Sequence, residues 1–185
     1  MRLPLLTLCL AAALAQPAFA QGTDSDHDEH EHGALGAHVH GESHLDLAQT
    51  ETGLELQWRS PAADLLGFEH APRNQQEEDA VAALRQSLEN PQALVQLPAA
   101  ADCRLTAASA ISPLFAKDAS ASASGHLDVD ASMSFSCSKP GALASLDLSG
   151  WFARFPNSHS VEVQAIVASG QQGAELTAKQ PQLKW

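Results

Sequence analysis

Six of the nine histidines in this 185-residue chain fall within HDEHEHGALGAHVHGESH, His27 through His44, interleaved with Asp and Glu. Imidazole nitrogen and carboxylate oxygen together suit borderline divalent cations: Zn²⁺, Ni²⁺, Co²⁺ or Cu²⁺. Methionine, the soft ligand a Cu⁺ carrier needs, occurs once beyond the initiator, at Met133. The competing interpretation is an acidic, solubilising tail whose polar residues collect on an exposed strand face. So many imidazoles in so short a stretch favour metal binding over that interpretation.

The spacing separates an ordered half-site from a looser supply of donors. If His38 and His40 lie on one strand, their Cα atoms are roughly 6.5 to 7 Å apart on the same face. Both rings then reach one Zn²⁺ at about 2.0 to 2.1 Å. Two ligands do not complete a site. The others are expected from the preceding segment (His27, His30 and His32, with Asp28, Glu29 and Glu31), or from His70. His44 lies on the order of 13 Å further along a straight strand, so unless Gly41 bends the chain it pairs instead with Glu42 or Asp46 in a second site. His126 and His159 stand alone in sequence and are expected to be structural or merely exposed.

The elements that position these residues follow from periodicity. From Ala37 the chain alternates strictly: Val39, Gly41, Ser43, Leu45 and Leu47 point one way, His38, His40, Glu42, His44 and Asp46 the other. After a turn at Glu51-Thr52-Gly53, Leu54 to Trp58 alternates again, predicting a hairpin. Ser60-Pro61 predicts a cap with proline at the first position of a short helix, Ala62 to Leu66, stopped by Gly67. Phe68 to Pro72 is a loop. Asn74 with Glu77 predicts a capped helix to about Glu89, with Val81, Leu84 and Leu88 inward. Cys103–Ala110 and Leu127–Cys137 predict an antiparallel pair joined by a Ser/Ala-rich connection. Short helices are expected over Pro140–Leu148 and Trp151–Phe155. A last hairpin joins Val161–Ala168 to Ala174–Ala178 through Gly170-Gln171-Gln172-Gly173. Together these predict an α+β domain with a mainly antiparallel sheet built from hairpins, a few helices and one disulfide; a β-sandwich with helical insertions is the alternative.

The amino terminus bounds the compartment. Arg2, the apolar run LPLLTLCLAAAL and Ala18-Phe19-Ala20 predict a cleavable secretory signal over 1–20. The run is too short to span a bilayer, so no membrane span is expected in the mature protein. Residues 21–36, which have almost nothing to bury, read as a mobile acidic histidine-rich leader, and 37–185 as a single metal-binding domain. Cleavage removes Cys9 and leaves Cys103 and Cys137, expected to form a disulfide in an oxidising compartment. Closing that loop stabilises the fold by roughly 3 to 4 kcal/mol in the chain-entropy model.

The net charge of −12 disfavours nucleic acid and anionic membrane as partners and favours cations. No H-E-x-x-H or G-x-S-x-G motif is present, and a catalytic zinc needs three fixed ligands, an open position and a base. A non-catalytic protein is therefore expected; a zinc-dependent hydrolase and an exported interaction module without metal dependence are the alternatives.

HVHG at His38 to Gly41, SPAADLLGFEHAP at Ser60 to Pro72, LENPQAL, Cys103, SPLF at Ser112 to Phe115, SCSKP around Cys137 and RFPNSHSVEVQAIVASGQQGAELTA at the end carry a resemblance. They resemble the ZrgA-type periplasmic zinc-uptake proteins of Gram-negative bacteria, over essentially the whole mature domain. The resemblance implies a periplasmic zinc-binding accessory protein, made when zinc is scarce, that assists an importer or its solute-binding protein. Many members carry a second histidine-rich run after the SPLF element. Here that place reads KDASASASGH, with only His126, which shifts the expected binding to the leader and the His38/His40 strand.

Overall fold

A computed structural model of the chain describes residues 39–116 and 127–185. The signal segment, the leader with His27, His30 and His32, His38, and the 117–126 connection with His126 lie outside the described residues. In chain order the elements are β1 (Glu42–Gln49), β2 (Gly53–Pro61), α1 (Ala62–Leu66), α2 (Gln75–Glu89), β3 (Cys103–Ile111), β4 (Asp128–Cys137), β5 (Ser145–Asp147), α3 (Ser149–Arg154), β6 (Ser160–Val167), β7 (Gly170–Thr177) and β8 (Gln182–Lys184).

Strand alternation decides which face of the sheet is buried. Ser43, Leu45 and Leu47 of β1, Leu54, Leu56 and Trp58 of β2, Val129, Ala131 and Met133 of β4, and Val161, Val163 and Ala165 of β6 all turn inward. Their neighbours Asp46, Gln57, Arg59, Glu162 and Gln164 turn to solvent. The main sheet has six strands in the order β3-β4-β2-β1-β6-β7, and β5 and β8 form a separate two-stranded ribbon. All three helices and the ribbon contribute buried residues to the same apolar core as the sheet. Trp151 of α3 stacks on Trp58 of β2 at 3.8 Å between ring centroids and meets Phe155 edge-on at 4.7 Å. Such aromatic pairs add about 0.5 to 1.5 kcal/mol beyond the area they bury. Among the described residues the regular structure is thus mostly strand, in a mixed sheet with few helices and one disulfide.

Local signals are reproduced where a helix or hairpin closes on itself. Helix α2 starts at the expected cap: the Asn74 side chain accepts the Glu77 N–H at 3.0 Å. The Glu77 carboxylate in turn accepts the N–H of Arg73 at 2.8 Å. Val81, Leu84 and Leu88 are its buried stripe. Helix α1 ends at Gly67 in the left-handed region, φ +83°, as a C-terminal glycine allows. Cys103 and Cys137 are direct cross-strand partners and are bonded.

Several expectations are corrected. The first strand begins at Glu42 and not at Ala37, because Gly41 adopts φ +91° and breaks the extended run. His40 consequently lies in a turn before the strand. Pro61 is the last residue of β2, and not the first of α1; it pairs opposite Asp128 at the end of the β2–β4 ladder. The Pro140–Leu148 segment is a short 3₁₀ turn at Pro140–Ala142 followed by strand β5. The last hairpin turns at Ala168-Ser169, so Gln171, Gln172 and Gly173 belong to β7. Most consequentially, β6 pairs with β1 in parallel, His44 lying beside Glu162. The other four pairings in the main sheet are antiparallel.

Candidate metal centre

Strand β1 presents its metal-capable side chains where it meets β6. On the exposed face one cross-strand row runs Asp130, Arg59, His44, Glu162 and Glu175. His44 sits between two carboxylates: its Nε2 is 3.7 Å from Glu42 Oε1 and its Nδ1 is 3.4 Å from Glu162 Oε2. One donor atom from each of Glu42, His44 and Glu162 falls within 4.8 Å of the others. When one ring nitrogen of such a histidine takes a cation, the other is left to hydrogen-bond a carboxylate, which fixes the ring and raises its basicity. Arg59 brings a positive charge into the same row. Its Nε donates to Asp130 Oδ1 at 2.8 Å, so a carboxylate on its far side balances it.

The turn preceding β1 gathers a second set. His40 Nε2 lies 3.0 Å from Glu69 Oε1, which the loop after α1 supplies. Between them and the core is Asp64 of α1, which is only 3 % exposed. Its Oδ1 accepts the Gly41 N–H at 2.8 Å. Burial pushes the Asp64 carboxyl above its ordinary range. The Gly41 N–H and the imidazoles of His40 and His159 oppose that rise, and Glu69 adds to it. His159, just before β6, donates its backbone N–H to the Gly41 carbonyl at 2.7 Å. A Cβ on Gly41 would come within 2.8 Å of His159 Nδ1, so glycine is required here by both its φ and the imidazole packed against it.

A buried hydroxyl chain fixes this corner to the core. Trp151 Nε1 donates to Ser158 Oγ at 3.0 Å, and Ser158 is 3.3 Å from Ser43 Oγ. Ser43 donates to Ser60 Oγ at 2.9 Å, and Ser60 donates onward to the Pro61 carbonyl at 3.4 Å. Because the indole only donates and the carbonyl only accepts, every hydroxyl proton points the same way. β1, β2 and the segment entering β6 are thereby held together directly beneath the donors.

The expected site residues therefore separate. Glu42 and His44 come together, and Glu162 joins them. His40 meets Glu69 in a turn and is not on the strand face where an alternating pair with His38 would place it. Asp46 sits one row along, opposite Gln57 and Gln164. His70 Nδ1 is 3.0 Å from the Ala71 carbonyl and 3.8 Å from Glu77, and its ring stacks on Phe68 at 4.9 Å. Those contacts hold the loop. His27, His30, His32 and His38 lie outside the described residues.

Sequence reading passes over Glu162 and Asp64, and sets His159 aside as structural or merely exposed. The Val-Glu-Val-Gln alternation marks Glu162 as exposed, but only the β1–β6 pairing makes it a neighbour of His44. An aspartate on the inward stripe of AADLL was the available signal for Asp64.

In this mostly β domain, nitrogen and carboxylate donors cluster at one sheet corner, a set that could hold a divalent cation. A family model described as ZrgA family zinc uptake protein matches residues 37–185, and the chain belongs to that family. No curated protein gives a significant match. Membership places the chain in zinc uptake and points away from an enzyme. Among the described residues, no helix is long and apolar enough to cross a membrane.

Proposed function

We propose that the protein is a periplasmic zinc-binding protein that captures Zn²⁺ and passes it to an importer or to that importer's solute-binding protein. In this reading residues 1–20 are removed on export, and 21–36 collect cations quickly and weakly through His27, His30 and His32. The ion then moves to the folded unit spanning 37–185, where His38, His40, His44 and Glu42 receive it. The observation that carries the reading is the convergence of Glu42, His44 and Glu162 within 4.8 Å, beside the turn that holds His40. Family membership supports zinc as the cargo; nitrogen and carboxylate donors would also take Ni²⁺, Co²⁺ or Cu²⁺ in vitro. The donors are half-exposed, His44 at 55 % and Glu162 at 53 %, which suits a site that must release its ion.

Equilibrium dialysis of the mature protein against Zn²⁺, followed by metal analysis, tests this directly. The wild type is expected to retain zinc, and His44→Ala with Glu162→Gln to retain less. Imidazole binds metal only when neutral, so affinity is expected to fall as pH drops below about 6.5. A calorimetric affinity unchanged between about pH 7.5 and about pH 5.5 would contradict the reading.

A further inference from the structure

Arg59 stands between two sets of carboxylates and can reach either. It is the direct cross-strand partner of His44 on one side and of Asp130 on the other, with each neighbouring strand about 4.8 Å away. Glu42 and Asp46, two residues either side of His44 on the same face of β1, are its diagonal neighbours at roughly 7 to 8 Å. A guanidinium on so long a stem can serve either flank. Asp130 has it: Arg59 Nε donates to Asp130 Oδ1 at 2.8 Å. Asp130, through that bond and its charge, with Asp128 and Asp46 behind it, holds the guanidinium pKa above its ordinary value. Among the described residues, no other lysine or arginine lies in the cross-strand row of His44 or in the row through Asp46. The guanidinium keeps its charge throughout the range in which imidazole titrates. A permanent cation beside two carboxylates and an imidazole weakens the binding of a divalent ion there, and weakens it more the closer it comes.

We propose that Arg59 and Asp130 together tune the Glu42–His44–Glu162 cluster without ligating its ion. The inference rests on the reading of that cluster as a place where zinc is received. Moored to Asp130, the guanidinium stands off, and its charge alone loosens the site and hastens release. Let go, it turns toward Glu42 and occupies a carboxylate that the ion needs. Asp130 is thus a positioning residue, acting on the ion chiefly through Arg59. A unit charge roughly 7 Å from a divalent ion, at the dielectric and salt of an exposed surface, changes affinity by about threefold. That is enough to favour release without abolishing capture.

The test follows the His44 ring, assigned from His44→Ala, in ¹H–¹⁵N spectra of the mature protein, with Zn²⁺ set by a competing chelator. Arg59→Gln is expected to tighten the affinity read at His44 about threefold at about 0.1 M salt, and the gain should shrink at about 1 M. Arg59→Lys keeps the charge and should not show the gain, which a merely structural role for Arg59 would not predict. Asp130→Asn should weaken binding about fivefold where Arg59 is present and only about twofold in the Arg59→Gln background, the remainder being its own lost charge. Both side chains are half-exposed, so the variants are expected to fold as wild type does. The inference is overturned if Arg59→Gln binds zinc no more tightly than wild type, or if Asp130→Asn weakens binding equally in both backgrounds. A His44 ring that never responds to zinc in the wild type sinks the reading of the cluster itself, so the two failures are distinguishable.

Discussion

The two halves of the main sheet are held in different ways. On the β3–β4 side, a covalent link joins directly opposed residues, Cys103 and Cys137, and Leu105, Met133 and Phe135 pack alongside. On the β1–β6 side, the strands run parallel, and buried hydroxyls tie them together through Ser43, Ser60 and Ser158. The first half resists unfolding by a staple that needs no particular chemistry around it. The second accepts buried hydroxyls and adjoins Asp64 of α1, whose Oδ2 has no hydrogen-bond partner among the described residues, and it carries the Glu42, His44 and Glu162 donors. The covalent staple and the cation-capable donors thus lie at different places in one sheet.

Substitutions can break that division or sharpen it. Trp151→Ala removes both the stack on Trp58 and the donor to Ser158, so it strikes the core and the donor corner together. A loss of about 3 to 5 kcal/mol is expected, read by urea denaturation, with zinc binding weakened as well. Replacing Cys103 and Cys137 by Ser is expected to cost roughly 3 to 4 kcal/mol in the chain-entropy model and to leave zinc affinity of the folded protein unchanged. A parallel fall in affinity would erase the distinction between the halves. Ser43→Ala leaves buried hydroxyls at Ser60 and Ser158 each short of a partner, and about 1 to 3 kcal/mol of stability is expected to go with it. His44→Ala with Glu162→Gln is the converse case: weaker zinc retention, with a metal-free melting temperature within a degree or two of wild type, as for exposed residues generally.

The smallest effect is a pH dependence. The folded-state value of the Asp64 carboxyl is raised, so its contribution is fully present below the unfolded value and is lost as pH rises through the folded one. Metal-free wild type should therefore lose melting temperature relative to Asp64→Asn across the acidic range above about pH 4. Parallel curves for the two proteins would remove Asp64 from the ionisable groups that matter.

What the sequence disclosed follows the same division. Helix α2 with its Asn74 cap, the β1–β2 hairpin and the bonded β3–β4 pair were legible because each is fixed by residues near one another in the chain, or by the cysteine pair. The donor corner was legible only in its raw materials. Alternation assigns His44 and Glu162 to solvent without saying that they adjoin, since a parallel pairing leaves no turn signal. Gly41 sits in an alternating run as a residue able to bend it, and only its positive φ and the ring of His159 against it decide that it does. His40 therefore leaves the strand face that periodicity assigns to it.

The parallel join of β1 to β6 also sets a timetable. Ser43 and Ser158 are 115 residues apart, and ribosomes make proteins from the amino end. His40 and His44 are thus finished long before Glu162 and His159 exist, and closing so wide a loop comes late relative to local hairpins. A partly made polypeptide carries His40 and His44 but none of the corner that assembles them, so the joining of Glu42, His44 and Glu162 is among the last steps in building this molecule.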